Sequence, residues 1–113
     1  MEDKHFIKNI DFEQALEMES LVTYQPGQVV SRTLAQNKNL SLTLFAFDKG
    51  EEISSHSSSG DAMVYALDGE AAIRIGTTTH KLSKGNTIVM PAGIPHAVTA
   101  DEKFKMLLIV VFS

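Results

Sequence analysis

From Val29 onward the chain alternates short apolar runs with polar turns. Candidate strands fall at Val29 to Ala35, Leu40 to Phe47, Met63 to Leu67, Ala71 to Ile75, Thr87 to Met90 and Met106 to Phe112. Between them lie Gln36-Asn37-Lys38-Asn39, Asp48-Lys49-Gly50, Asp68-Gly69, Gly76 and Lys84-Gly85, all favourable to turns. Short strands at this spacing predict an all-β sandwich or barrel. Upstream, Asp11 is placed to cap one short N-terminal helix, with Gln14 three residues later as its box partner. Phe12, Ala15, Leu16 and Leu21 would form the apolar side of that helix, and Pro26-Gly27 would close it with a turn.

Two of the strands are apolar on both faces: Met106 to Phe112 and Met63 to Leu67. One face can fill an interior, and the other needs a cover, because a bare apolar strand face is an aggregation hazard. A second layer from the same chain is one source of cover, but a single helix offers little. A homodimer that buries the outer faces is the preferred expectation.

Composition narrows the picture modestly. A length of 113 residues fits one domain, taken as 1–113, and a hydrophobic fraction of 43% is ordinary for a globular protein. The net charge of −4, without any Lys/Arg cluster, argues against a nucleic-acid surface. There is no cysteine, which removes disulfides and thiolate chemistry. The polar start Met1-Glu2-Asp3-Lys4-His5 lacks a signal-like apolar core, and the run Met106 to Phe112 is too short to span a bilayer. The expectation is a soluble, cytoplasmic protein that touches neither nucleic acid nor membrane. Asn39-Leu40-Ser41 matches a glycosylation sequon that such a location would leave unused.

Candidate chemistry centres on two histidines. The segment Gly85-Asn86-Thr87-Ile88-Val89-Met90-Pro91-Ala92-Gly93-Ile94-Pro95-His96 turns, extends, and ends in two prolines that stiffen the approach to His96. Earlier, His56 lies within the serine-rich stretch Ser54 to Ser59. The spacing of Gly50, His56 and Gly69 resembles the first motif of the cupins, G-x5-H-x-H-x3,4-E-x6-G. Gly85, Pro91, Gly93 and His96 resemble the second, G-x5-P-x-G-x2-H-x3-N, with Ala100 in place of the final Asn. The matched stretches cover about 50–69 and about 85–100. The resemblance implies a cupin-type double-stranded β-helix, a jelly-roll barrel, over the whole chain.

The departures bear on function. The resemblance implies two histidines and a glutamate from the first motif and one histidine from the second as metal ligands. Here Ser58 stands at the second histidine position and Ala62 at the glutamate position, which leaves His56 and His96. Catalytic zinc sites usually offer three protein ligands, and non-haem iron sites two histidines with one carboxylate. Two imidazoles would hold a divalent metal (Zn, Fe, Mn or Ni) weakly unless another group joins. Asp61 is the nearest carboxylate, but strand alternation points it away from Ala62 unless Gly60 introduces a bulge. His80 and His5 lie apart from both motifs.

Three readings of the pair stay open: a bound metal, a metal-free pocket, and a structural pair. Alternation puts Ser58, Ala62, Val64 and Ala66 on the inward side with His56 as pocket-lining residues, and Met63 and Tyr65 on the outer side. Met90 and Met106 are adaptable fillers of core or pocket. Small inward residues beside two imidazoles suit a small-molecule site. The first expectation is therefore a barrel that binds a small molecule. The alternative implied by the resemblance is a metal-dependent oxygenase, isomerase or lyase using His56 and His96. Without metal, either ring could serve as a general base. A second alternative is a module for dimerisation.

Overall fold

The computed structural model describes residues 5–113, and in it all six expected strands form. In chain order the strands are β1 (Val29–Gln36), β2 (Leu40–Phe47), β3 (Glu52–His56), β4 (Asp61–Asp68), β5 (Glu70–Ile75), β6 (Thr78–Ser83), β7 (Thr87–Met90), β8 (His96–Ala100) and β9 (Phe104–Val111). Three of them, β3, β6 and β8, had no counterpart in the apolar pattern. β6 carries Thr78, Thr79, His80 and Lys81 exposed before Leu82 turns inward. A strand wet on one face and short at its sheet edge leaves too little apolar alternation to read.

All strand pairs are antiparallel. They form a five-stranded sheet, β1-β2-β9-β4-β7, and a four-stranded sheet, β3-β8-β5-β6. The inner faces enclose the main core, where Phe47, Val64, Ile73, Phe104 and Met106 are at most 1% exposed. The Phe47 and Phe104 rings meet at 5.8 Å with a 52° tilt, an arrangement aromatic pairs favour. Gly69 joins β4 to β5 at φ +75°, and a side chain there would run into the backbone carbonyl of Lys103. Only glycine satisfies both demands.

A second, smaller core lies on the outer face of the five-stranded sheet. Val22, Leu34, Leu44 and Ala46 are buried there beneath Ile10, Leu21 and Tyr24. The Tyr24 hydroxyl donates to Asp68 Oδ2 at 2.6 Å, and Lys105 Nζ donates to the Glu19 carbonyl at 2.7 Å. Burial, then the Asp68 hydrogen bond, push the Tyr24 phenol above its ordinary range, so it stays protonated and donating.

The expected helix is displaced. No helix starts at Asp11; the helical content among the described residues is one 3-10 turn, Met18–Leu21, without a side-chain cap. Phe12 and Leu16 are 46% and 41% exposed, so no apolar face is buried to stabilise a short helix. The segment instead fastens to β1: Lys8 N donates to Leu34 O at 2.7 Å, and Asn9 Nδ2 to Thr33 O at 2.7 Å. Glu13 adopts φ +59°, which a helix starting at Asp11 does not allow. Among the described residues no helix is long and apolar enough to cross a membrane.

Candidate functional site: a histidine pair between β3 and β8

The site is built by register. In β8, His96, Val98 and Ala100 are buried and alternate with the half-buried Ala97 and Thr99. In β3, Ile53 pairs with Val98 and His56 with His96. Between these pairs two residues of β3, Ser54 and Ser55, lie opposite one of β8, Ala97, so a bulge lies between Ile53 and His56. Plain alternation from the inward Ile53 would send His56 outward. The extra residue returns it to the side of His96. The rings meet edge-on, with centroids 4.5 Å apart and planes at 70°. His96 is 4% exposed, whereas His56 lies open to solvent.

The loop from Pro91 to Pro95 is anchored at each amide it has. Ala92 N donates to Asp61 Oδ1 at 2.8 Å, Gly93 N to the Ser58 carbonyl at 2.8 Å, and Ile94 N to the Pro91 carbonyl at 3.3 Å. The two prolines have no N–H to satisfy. Pro95 O accepts from Gly76 N at 2.8 Å, and Gly93 supplies φ +77° at the tip. His96 therefore enters β8 from a fixed loop, as the proline spacing predicts.

Asp61 and Ser58 act here through the backbone. The Asp61 side chain is exposed and holds Ala92, while Ser58 Oγ accepts from Gly60 N at 3.1 Å. Among the described residues no group of three His, Cys, Asp or Glu side chains is placed to hold a metal. His80 is exposed on β6 opposite Ile73, and His5 stacks on Phe12 at 4.1 Å. The donor set is two imidazoles, short of the three-ligand sets that hold catalytic zinc or iron.

The remaining expected lining residues face inward as alternation requires, but they are packed, not open. Ala62, Val64 and Ala66 are 2%, 0% and 1% exposed and belong to the main core with Met90 and Met106. The methionines fill the space that small side chains vacate. The accessible part of the site is thus the pair's own edge of the barrel.

Both rings are oriented by their Nδ1 atoms. His56 Nδ1 lies 2.9 Å from the Ser54 carbonyl, and His96 Nδ1 lies 3.3 Å from the Ile94 carbonyl. A carbonyl only accepts, so each Nδ1 carries the proton. Nε2 is then the nitrogen left to meet a ligand. Burial first, and the neighbouring His56 second, hold His96 below its ordinary imidazole value, against the opposing pull of the Ile94 carbonyl. At neutral pH His96 therefore presents a lone pair at Nε2. The two orienting carbonyls were not foreseen: in each case the partner is the residue two positions upstream, a contact set by backbone bend and not by residue type.

A separate cavity of about 350 Å³ opens on the opposite, outer face of the four-stranded sheet, with Ala72 and Ala97 among its lining residues. A second opening lies beside Ile7, Ile10 and Phe12 in the N-terminal segment.

The comparisons agree with this architecture. The fold is similar to the crystal structure of a conserved Streptococcus pyogenes protein of unknown function, at 47% identity and TM-score 0.97, covering 99% of this chain and 98% of that one. It is also similar to a cupin superfamily protein from Desulfitobacterium hafniense, at 33% identity and TM-score 0.91, over 95% of this chain and 98% of the other. An uncharacterized Streptomyces coelicolor protein is 31% identical over 61 residues, 54% of this chain and 58% of that protein. The present chain thus spans little more than half the length of that curated relative. The family model described as "Cupin domain" matches residues 43–112, from within β2 to the end of β9, and the chain belongs to the cupin domain family.

Proposed function

We propose that this protein binds a small molecule at the edge of the barrel where His56 and His96 meet. The observation that carries the reading is the pair itself: two rings 4.5 Å apart, each with Nδ1 committed to a backbone carbonyl. Nε2 of each ring is then the atom that meets a ligand, and on neutral His96 it accepts a hydrogen bond from a ligand hydroxyl. The loop anchors at Asp61 and Ser58 hold this geometry before a ligand arrives, which lowers the ordering cost of binding.

A screen of metabolites by thermal shift tests the reading, run with and without a chelator. The expected result is a compound that raises Tm in the wild type, keeps its effect with chelator, and loses it in His96→Ala. A screen in which every shift survives His96→Ala would reject the site. A metal-dependent oxygenase, isomerase or lyase is the competing reading. Stoichiometric metal in the untagged protein, lost in both His56→Ala and His96→Ala, would establish it in place of the first.

We also propose a homodimer, in the cytoplasm, as the state in which this site operates. Met63 and Tyr65 on β4, Val89 on β7 and Val111 on β9 are 40%, 42%, 50% and 54% exposed, and they belong to neighbouring strands of one sheet. The N-terminal segment covers the β1–β2 half of that outer face and leaves this half bare. Bare apolar area of this kind marks an interface in soluble proteins. Light scattering at micromolar concentration reads the oligomer directly, and a monomer would contradict the dimer.

A further inference from the structure

We infer that the outer face of the four-stranded sheet is a second binding site, for a small monoanionic, hydroxyl-rich molecule of the sugar-acid class. It faces away from the histidine pair and stands whether or not the reading above does. The argument starts from register. On the outer face, Thr79, Arg74 and Ala97 form one cross-strand row of β6, β5 and β8. Lys81, Ala72, Thr99 and Glu52 form the next row and reach β3. The two central strands therefore place alanines between longer side chains, and the face is hollowed to about 350 Å³. That volume lies at the low end of small-ligand sites, roughly 300–1,000 Å³.

The lining is chosen for hydrogen bonding. The bulge in β3 brings both Ser54 and Ser55 to the cavity, where simple alternation would bring one. Their hydroxyls join those of Thr79 and Thr99. Each is a donor and an acceptor, so together they match a run of ligand hydroxyls. Ala72 and Ala97 give a flat apolar floor for the C–H face of such a molecule. No aromatic or long aliphatic side chain lines the cavity, which disfavours an aromatic or acyl ligand.

Charge sets the rest. Arg74 makes no hydrogen bond or ion pair within the protein among the described residues, so its fork of donors is free for a carboxylate. Glu52 sits across β8 from it, on the other side of the floor, and already accepts a long hydrogen bond from Thr99 Oγ1 at 3.4 Å. A carboxylate there accepts from ligand hydroxyls and repels a second negative charge. Lys81 stands in the neighbouring row but does not line the cavity, so within the cavity one cation, Arg74, faces one anion, Glu52, which favours a monoanion over a phosphate dianion.

Methyl-resolved NMR on the whole protein tests the site, with D-glucuronate as probe. D-glucose, acetate and glucose 6-phosphate are the comparison probes. The outer methyls of Ala72, Ala97, Thr79 and Thr99 should shift saturably with glucuronate. The inner methyls of Val98 and Ile75, beside His96, should stay in place. Arg74→Gln, an exposed substitution, should weaken the titration about tenfold or more, as loss of a charge-assisted pair does. Ala97→Leu, which fills the floor, should abolish it. Each comparison probe should bind about tenfold more weakly or worse. The site is overturned by any of three results: no saturable shift up to tens of millimolar, shifts confined to Val98 and Ile75, or an unchanged titration in Arg74→Gln.

Discussion

The two sheets share one core but meet their surroundings differently. The five-stranded sheet is apolar on its outside as well as its inside: Leu44 and Ala46 are buried under the N-terminal segment, and Met63, Tyr65 and Val89 lie bare. The four-stranded sheet is apolar on its inside alone, where Ile73 and Val98 point, and carries Arg74, Thr79, Thr99 and Glu52 on its outside. On the proposed reading, the first sheet meets other polypeptide and the second meets solutes. The histidine pair belongs to the second. Division of labour between the sheets follows from which faces each must hide.

The comparison can be broken most severely at what the sheets share. Phe104→Ala empties a fully buried ring site between them and should cost about 3–5 kcal/mol, read as a lowered urea midpoint. Gly69→Ala should follow at about 2 kcal/mol or more, because a positive φ and a collision with the Lys103 backbone act together. If Gly69→Ala were neutral, the joint between the sheets would be softer than the geometry requires. Next comes the contrast of outer faces. The double change Met63→Lys and Tyr65→Lys should halve the scattering mass while leaving the midpoint of the isolated chain within about 1 kcal/mol. Thr79→Ala on the other sheet should move stability by less than about 0.5 kcal/mol and leave the mass unchanged.

A pH experiment sharpens the comparison without a large effect. His96 is held low in the folded protein, so the unfolded chain takes up its proton first. The contribution is fully present above about pH 6.5, the ordinary imidazole value, and is lost as pH falls from there through the lowered value. Urea midpoints measured from pH 7.5 down to 5 should decline in the wild type and decline less steeply in His96→Asn. Equal slopes would mean that His96 titrates normally.

Legibility in the sequence divided nearly along the line of the sheets, with β5 the one strand of the four-stranded sheet that was read. Strands apolar on both faces, Met63–Leu67 and Met106 onward, announced themselves, and Thr87–Met90 was bounded to the residue. The wet sheet hid β3, β6 and β8, because Ser54, Thr79 and Thr99 read as loop when one inward residue in two is all that separates strand from turn. The histidine pair was legible through motif spacing, and its loop through Pro91, Gly93 and Pro95. What Asp61 does was not. Its outward direction follows from alternation, but its bond to Ala92 depends on a loop 31 residues away. The Asp11–Gln14 helix signal failed because Phe12 and Leu16 find no surface to bury against.

The bulge in β3 has a consequence beyond the two sites it serves. Strand parity is arithmetic: adding one residue between Ile53 and His56 exchanges inside for outside for everything that follows on that strand. Deleting Ser55 would leave every other side chain in the protein unaltered in kind, yet hand His56 to the solvent face and withdraw a hydroxyl from the cavity. In this fold the gain or loss of an imidazole facing His96 is thus a matter of chain length as much as of residue identity. A single-codon deletion could retire the pair as effectively as replacing either histidine.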